Sequence, residues 1–536
     1  MGVHRTHPDS ADVDTLVARV RTGTLSRRAF LHRATLLLGS AMASEGLLAR
    51  MASSQATGKR DLVIAQGSDI STLDPHFSTA VHDTSVSFNI FDNLASRHRD
   101  EKLYPSLATG WKLLKPTAWE FTLRPDVKFH NGDPCTSADV KFSIERTYDP
   151  QAKTQVATVF TTIDRIEAPN AQTVVFLTKD PDPLMPARLA FFGGQILPKR
   201  YVEQVGPSGF NAKPVGTGPV RFVEWVKDDH LTLTAGPDYW GGRIDADQVV
   251  FRAVPDVATR IAALLRGEVD IITKLPPDHV ERVKQHPTTK VEGALYAGLY
   301  ALIVDSRRSP LDNPRVKQAL SLAIDRAAIV KELWRGQGIV PNGPIPKGDS
   351  YYDESWPPLR YDPALAKQRL REGGYRNEPI YLESTTLTAN ERAMSEAVLQ
   401  MWRDVGLNAQ LEIVEFSVMM QKIRERSLKG MRWGDPTSTL RDPDGMIWRL
   451  LGPGGLQANW RHPRFDELGA AAHLSVDDDL RRRAYREMAQ IMLEYLPWIP
   501  VMQPIESYGM QRYVEWAPYS NQQLEIRSFN LKMRRA

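Results

Sequence analysis

Residues 119–146 read WEFTLRPDVKFHNGDPCTSADVKFSIER, and this is the most informative stretch of the chain. Over residues 119–123 large apolar residues alternate with polar ones, which is the period of a half-buried strand. The pair Asn131-Gly132 is a turn pair that accepts positive φ. Thr136 stands three residues before Asp139, a spacing typical of the capping box that begins a helix. The stretch therefore predicts a compact unit of strand, turn, strand and capped helix, with no catalytic group.

The charge of the chain is concentrated at its N-terminus. The 536 residues have a formal net charge of +4, but residues 1–56 carry seven arginines and four acids, which leaves +1 for the rest. A role in nucleic-acid binding therefore has no electrostatic support. The length predicts two to four domains with ample core. A single cysteine, Cys135, excludes a disulfide within the chain and is expected to be a turn or core residue.

The N-terminal segment has the features of an export signal. Its SRRAFL sequence, with Arg27 and Arg28, resembles the core of a twin-arginine signal. The apolar run over residues 34–43 suits a signal peptide, because a membrane span takes about 20 residues. Cleavage is expected after Ala43 or Ala56, and the absence of a following cysteine argues against a lipid anchor. The alternative is an amphipathic N-terminal helix of a cytosolic protein.

Beyond this segment the chain alternates short strands and helices, which predicts a mixed α and β class. The clearest helix begins at Asn313-Pro314, a cap residue followed by proline at the first helical position. Apolar residues recur at helical spacing as far as Trp334, and Gly336 ends the pattern. Further helices are predicted over 258–265, 364–370, 390–404 and 480–493, strands over 380–385 and 410–416, and a hairpin over 218–234.

Several motifs together resemble one protein family. Residues 123–146 resemble the LR-x-x-V-x-F-H-D-G-x-P-x-T-A-x-D-V-x-F-S-x-x-R signature of family 5 extracellular solute-binding proteins, the peptide and nickel receptors of ABC importers. Other landmarks follow in the order of the family, although Val220 stands where tyrosine is usual. These landmarks are Leu73–His76, Tyr104–Trp111, Val215–Phe222, Tyr239–Gly242, Gly267–Asp270, Asn313–Leu320, Ala323–Arg326 and Tyr361–Pro363.

The resemblance implies a two-lobed periplasmic-binding-protein-like fold of type II, cluster C, with an extra domain on the first lobe. The implied limits are 1–56 for the signal peptide and mature N-terminus, 61–91, 192–296 and 506–536 for lobe I, 92–191 for domain II, and 297–505 for lobe III. Hinges are expected near 296–303 and 500–507, and lobes joined in this way close around a ligand.

A loop over residues 432–445 is the expected centre of ligand binding, because it combines an indole, guanidinium groups and carboxylates. In peptide-binding relatives the corresponding loop lines the cleft, and an aspartate holds the α-ammonium of the ligand. Here the loop is longer between Trp433 and Asp442, so that either Asp435 or Asp442 is the implied amine partner. A solvated surface turn is the alternative.

Two further groups of ligand contacts are expected. Arg441 is expected either to meet a ligand carboxylate with two hydrogen bonds or to pair with Asp442 or Asp444. The loop from Phe77 to Asp83 is expected to face the ligand from the opposing lobe, unless it is an ordinary strand–helix connection. The complete expected set is Phe77, Ser78, His82, Asp83, Tyr300, Trp433, Asp435, Arg441, Asp442 and Asp444.

Motifs for catalysis or metal binding are not recognised. The Gly216–Gly218 segment lacks the ending of a phosphate loop and is expected to be a structural turn. The Asp442–Gly445 segment lacks the glutamate of a calcium loop. His76 and His82 have no third ligand nearby in the sequence. We therefore expect no catalytic residue, no metal and no cofactor.

These observations predict the periplasmic component of an ABC importer. It would bind a small peptide or peptide-like solute by hinge closure, as a monomer without nucleic-acid partners, and deliver it to a membrane permease and its ATPase subunits. A nickel chelate, an opine or an oligosaccharide on the same fold is the first alternative. An exported hydrolase, motivated only by the abundance of acids, is the second.

Overall fold

The computed structural model describes residues 60–385 and 390–534. The expected export signal, with Arg27 and Arg28, lies outside these ranges. Among the described helices none is long and apolar enough to span a bilayer. The strands are β1 (Asp61–Gln66), β2 (Ala95–Arg97), β3 (Leu103–Pro105), β4 (Ala108–Lys115), β5 (Ala118–Leu123), β6 (Ile163–Asn170), β7 (Thr173–Thr178), β8 (Val220–Val226), β9 (His230–Ala235), β10 (Gln248–Ala253), β11 (Ile271–Ile272), β12 (Thr289–Leu295), β13 (Tyr300–Val304), β14 (Gly338–Ile339), β15 (Pro379–Ser384), β16 (Asn408–Ile413), β17 (Met431–Gly434), β18 (Trp498–Gln511), β19 (Val514–Glu515) and β20 (Lys532–Met533).

Helices connect most of these strands. The α-helices are α1 (Val81–Ile90), α2 (Ser137–Tyr148), α3 (Met185–Arg188), α4 (Lys199–Ala212), α5 (Val257–Leu265), α6 (Val280–Gln285), α7 (Pro314–Leu322), α8 (Arg326–Ala328), α9 (Pro363–Glu372), α10 (Glu391–Asp404), α11 (Phe416–Glu425), α12 (Ile447–Leu451), α13 (Pro463–His473) and α14 (Asp478–Tyr495). Short 3₁₀ turns cover Ala157–Val159, Pro277–His279 and Pro443–Gly445, and a π turn covers Ile329–Leu333.

The longest strand, β18, joins two halves of the main sheet. The strand order is β16-β15-β17-β13-β18-β11-β1-β10-β9-β8, and β12 also pairs with β18. The first part of β18 pairs with β13, from Trp498 opposite Ile303. Its last part pairs with β12, as far as Gln511 opposite Thr289. We call β1 and β8–β12 the first half and β13 with β15–β17 the second half.

Each half has its own apolar core. In the first half, Phe91, Leu233 and Ile271 are buried together. In the second half, the Trp402 ring is fully buried, and its indole N–H donates to the Leu320 carbonyl at 3.0 Å. Burial of such large apolar side chains contributes about 1.5–3 kcal/mol each. Separate cores allow the halves to move as units about the strand that they share.

The first strand, the turn and the capped helix predicted over residues 119–146 are confirmed, whereas the second strand is not formed. Strand β5 belongs to a four-stranded sheet of order β4-β5-β7-β6. Gly132 has a φ of 91°, as the turn requires. The Thr136 backbone N–H donates to the Asp139 carboxylate at 2.9 Å and thereby caps α2. The second predicted strand is reduced to a single bridge between Lys128 and Pro134.

This smaller sheet packs against the first half of the main sheet. The His130 ring hydrogen-bonds to the Gly218 carbonyl at 2.9 Å. The Trp240 indole donates to Asp92 at 2.8 Å. A Cβ on Gly216 would lie 2.0 Å from the Ile90 carbonyl oxygen, so that the Gly-Thr-Gly segment serves close packing. The predicted structural turn is confirmed.

The single helix predicted from Pro314 to Trp334 is broken at residues 323–325 into α7 and a second helical segment, which consists of α8 and the π turn Ile329–Leu333. Asn313 caps α7 as expected, accepting from the Arg315 N–H at 2.9 Å, but the helix ends at Leu322. The buried Arg326 guanidinium donates to the Ser321 carbonyl at 2.9 Å and to the Pro500 carbonyl at 2.8 Å. These bonds hold the chain in a break that apolar spacing does not reveal.

The strand predicted over residues 410–416 is too long. Strand β16 ends at Ile413, and α11 begins at Phe416. The Glu415 carboxylate accepts from the Ser417 N–H at 2.7 Å and from the Val418 N–H at 3.2 Å, which caps the new helix. The alternation of apolar residues in β16 concealed this cap, so α11 was missed.

Candidate ligand-binding cavity

A cavity of about 400 Å³ lies in the second half of the molecule. Its walls come from β13, β15, β17, α10, α11 and the segments around residues 434–439 and 449–457. Three of the expected ligand contacts line it, namely Tyr300, Trp433 and Asp435. The structure therefore brings together residues that stand 135 positions apart in the sequence.

Trp433 forms a rigid part of the wall. Its position in β17 is fixed by pairing with Leu302 of β13. Its indole N–H donates to the Ser395 hydroxyl of α10 at 2.6 Å. The ring is half-buried against the core of the second half. An indole held in this way offers a flat apolar surface to the cavity.

Asp435 is an exposed carboxylate that lines the cavity. The low-dielectric surroundings raise its pKa, Arg432 and a hydrogen bond from Tyr296 act against this, and Glu391 raises the pKa further. The Arg432 guanidinium donates to the Trp433 carbonyl at 2.7 Å, which engages part of its hydrogen-bonding capacity. The charge of Asp435 is therefore incompletely compensated by the protein.

Acidic groups surround Tyr300. Burial raises the pKa of its hydroxyl far above the ordinary value, and the carboxylates of Glu506, Asp435 and Glu391 raise it further. Glu391 is only 4% exposed and accepts from the Ser384 hydroxyl at 2.9 Å. The carboxylates of Glu391 and Asp435 in this corner of the cavity favour a cationic group, and Arg432 offsets part of their charge.

Asp442 and Asp444 lie in a buried network instead of the cavity wall. Arg481, which is 3% exposed, donates to Asp442 at 2.6 Å. The Tyr485 hydroxyl donates to Asp444 at 2.7 Å, and a ring nitrogen of His473 lies 2.9 Å from the same carboxylate. Burial acts to raise the pKa of Asp444, but the bond with His473 makes the net shift downward. These contacts fix the loop, and a ligand role for either aspartate stays a prediction.

Arg441 is also buried, at 3% exposure, with a φ of 56°. Its guanidinium lies 2.8 Å from Asp349 and 3.0 Å from Glu101. The expected pairing with Asp442 or Asp444 is therefore wrong, because both of those acids have other partners. A ligand role for Arg441 stays a prediction.

The opposing loop does not line the cavity. Asp83 accepts from the Ser71 backbone N–H at 2.7 Å and from its hydroxyl at 2.6 Å. The buried Ser78 hydroxyl accepts from the Ala80 N–H at 3.1 Å. The remaining two residues of the expected set are half-buried: Phe77, whose ring lies beneath Arg146, and His82, which is 3.8 Å from Asp83.

Over residues 60–385 and 390–534, no three or more His, Cys, Asp or Glu side chains are grouped so as to hold a metal ion. His76 is fully buried, with its Nδ1 3.0 Å from a guanidinium nitrogen of Arg146 and its Nε2 3.3 Å from the Gln195 carbonyl. Burial lowers its pKa to about 4. The ring therefore serves the fold as a neutral group.

Comparison with known proteins identifies the family. Residues 102–457 match the bacterial extracellular solute-binding proteins, family 5 Middle. This chain belongs to that family. The predicted family and the mixed α and β two-lobed fold of family 5 are thus confirmed, and both family and fold are those of solute-binding proteins.

This family 5 protein is similar to two curated binding proteins and to one solved structure. Di/tripeptide-binding protein 2 of Pseudomonas aeruginosa is 29% identical over 439 residues, covering 75% of this chain and 81% of that protein. The glutathione-binding protein GsiB of Salmonella typhi is 26% identical over 483 residues, covering 86% and 92%. The structure of DppA from Helicobacter pylori in complex with the peptide STSA has a TM-score of 0.74 and 24% identity, covering 90% and 100%.

Sequence reasoning missed much of the cavity of this family 5 protein. The apolar face of α11 was missed because Phe416 was assigned to the preceding strand. The sequence predicts a helix that contains Glu391 but indicates no ligand contact there, and Arg449 lies beyond the loop over residues 432–445. The spacing of Phe416, Met419, Met420 and Ile423, together with the Glu415-Phe-Ser417 start, is the signal that could have revealed α11. These four residues of α11, with Glu391 and Arg449, all line the cavity.

Proposed function

We propose that this family 5 protein captures a small peptide or peptide-like solute in the periplasm and delivers it to a membrane ABC permease. The carboxylate of Asp435, exposed in a cavity of about 400 Å³, is the observation that carries the proposal. The volume lies within the range of small-molecule sites, about 300–1,000 Å³. The di/tripeptide and glutathione receptors among its relatives support the same class of ligand.

The charges of the cavity suit a ligand with a free amine. Asp435 is open to the cavity, but the surrounding protein raises its pKa and Arg432 offsets only part of this effect. An ammonium group at this position would compensate the carboxylate, and a charge-assisted hydrogen bond is stronger than a neutral one. Of the two aspartates considered for this role, Asp435 lines the cavity, whereas Asp442 is bound by Arg481.

Closure of the two lobes would follow from the position of the loop over residues 432–445. The same loop that carries Asp435 reaches the opposite side of the molecule at Leu440. That side chain packs against Leu184, Ala187 and Phe191. Arg97 donates to the Leu440 carbonyl at 2.9 Å. A ligand that orders the Asp435 end of the loop would favour these contacts and so shift the population towards the closed form.

We further propose that the lobes have the limits implied by the sequence, with domain II over 92–191 attached to lobe I. The four-stranded sheet within 108–178 supports this division. The crossing of β18 between the halves supports hinges near 296–303 and 500–507. The expected export signal would direct the protein to the periplasm, where we propose that it acts as a monomer.

A ligand screen tests the proposed function. Thermal unfolding would be measured with di- and tripeptides, glutathione, oligosaccharides, opines and nickel–histidine. The proposal expects the largest rise in Tm with peptides or glutathione, because a ligand that binds the folded state stabilises it by mass action. A rise confined to sugars or to the nickel chelate would contradict the proposed ligand class.

A further inference from the structure

One wall of the cavity is a continuous apolar face of α11. Phe416, Met419, Met420 and Ile423 follow the spacing i, i+3, i+4, i+7, which places them on one side of a helix. All four line the cavity. Val418 on the same helix is 43% exposed and does not line it. The apolar face of α11 is therefore directed to the cavity, and the side that carries Val418 is directed to solvent.

Two apolar side chains on the cavity wall are left uncovered. Phe416 is 47% exposed and Leu456 is 51% exposed. Both line the cavity, where Leu450 adds further apolar surface. Exposed apolar area gains about 25 cal/mol per Å² when it is removed from water. The wall is therefore suited to an apolar group of the ligand.

The charged groups nearest to α11 are engaged with each other. Lys422 of α11 is directed to the fully buried Glu383, which also accepts from the Lys429 N–H at 2.8 Å. Glu383 therefore has no unpaired charge to offer a ligand, and a charged ligand side chain against this wall would lose its hydration without gaining a partner.

Two cations lie elsewhere in the cavity lining. Arg449 donates to the Gly445 carbonyl at 2.7 Å, and Arg432 to the Trp433 carbonyl. Among the described residues no ion pair within 4 Å joins either guanidinium to a carboxylate, and Arg432 interacts with Asp435 only at longer range. Each retains donors for a ligand carboxylate, while Asp435 retains an acceptor for a ligand amine.

We infer that the α11 wall makes this cavity selective for short peptides that carry a large apolar side chain. This inference rests on the proposed function and deepens it. The amine of the peptide lies at Asp435, its carboxylate meets a guanidinium, and its aliphatic or aromatic side chain covers Phe416, Met420 and Leu456. Methionines adapt to differently shaped apolar groups, so that leucine, methionine and phenylalanine are all accepted.

Calorimetric titration tests the inference with Ala-Ala, Ala-Leu, Leu-Ala, Ala-Phe, Phe-Ala, Ala-Glu and Ala-Lys. The wild-type chain is expected to bind the best apolar peptide at least about 10-fold more tightly than Ala-Ala. Ala-Glu and Ala-Lys are expected to bind no better than Ala-Ala. Met420→Gln is expected to remove most of this apolar preference.

Two further variants control the experiment. Val418→Gln changes the same helix outside the cavity and is expected to bind as the wild type does. Phe416→Gln alters the wall at an exposed position, so that it reports on the wall even if Met420→Gln fails to fold. Equal affinity for apolar, small and charged peptides would overturn the inference but leave the proposed function standing. An unchanged apolar preference in Phe416→Gln would also overturn the inference alone. A wild-type chain that binds no peptide would overturn the inference and the proposed function together.

Discussion

Arg441 and Glu101 form an ion pair of 3.0 Å that connects the second half of the molecule with the β2–β3 hairpin. The hairpin precedes the four-stranded sheet and belongs to the part that packs on the first half. Asp349, at 2.8 Å, completes the surroundings of the guanidinium. This ion pair lies beside the apolar contact of Leu440 with Leu184 and Phe191. Polar and apolar contacts therefore both join the second half of the molecule to the part that packs on the first half.

Replacing Glu101 with glutamine is expected to favour the open form. The change removes a charge-assisted contact with a buried guanidinium and retains the shape of the side chain. We expect ligand affinity to fall by about 1–3 kcal/mol, because the buried guanidinium loses one of the two carboxylates with which it forms ion pairs. Titration calorimetry gives the affinity, and small-angle X-ray scattering of the ligand-bound protein gives the closed fraction.

The exposed pair of Asp278 with Arg335, at 2.9 Å, is the matched control for this experiment. It also joins the two halves, but both side chains are more than half exposed. Asp278→Asn is therefore expected to change affinity by less than about 1 kcal/mol. Equal effects of the two substitutions would contradict a special role of the Arg441 contact.

Substitutions of two aspartates in one loop are expected to differ in their effect on stability. Asp442→Asn leaves the buried Arg481 without its carboxylate and is expected to lower the free energy of unfolding by about 3–5 kcal/mol. Asp435→Asn is expected to change it by less than about 1 kcal/mol, because the residue is exposed. Urea unfolding measures both variants, and a large loss of stability in Asp435→Asn would contradict the assignment.

His76 is expected to make the protein sensitive to acid. Its folded-state pKa of about 4 is below the ordinary value of 6.5, so the unfolded chain binds more protons between these pH values. Stability therefore falls as the pH is lowered from about 6.5 to 4, by about 3 kcal/mol in total. In His76→Gln the free energy of unfolding, measured with urea, is expected to fall less between about pH 6.5 and 4. A fall as large as that of the wild type would show that His76 does not cause the acid sensitivity.

Local elements could be predicted where neighbouring residues determine the structure. The capping box of α2 needs only Thr136 and Asp139, and the turn needs only Gly132. The break after α7 could not be predicted, because Arg326 is held by the Pro500 carbonyl, 174 positions away. Spacing alone describes one face of a helix and contains no information about such a distant partner.

The candidate site was predictable to the level of a loop. The sequence indicated residues 432–445 but left Asp435 and Asp442 as equal alternatives. In the structure Asp435 lines the cavity, whereas Asp442 is bound by Arg481 of α14 in the buried network. The apolar wall on α11 escaped prediction, since the preceding strand continues the same hydrophobic pattern into the helix.

The most direct measurement compares one peptide with its N-acetylated form on the wild type and on Asp435→Asn. If Asp435 holds the ligand amine, acetylation weakens binding to the wild type by about 2–5 kcal/mol. In Asp435→Asn both forms are expected to bind weakly, with affinities within about 1 kcal/mol of each other. An acetylation penalty of the same size in both proteins, or no penalty in the wild type, would contradict the binding of the ligand amine by Asp435.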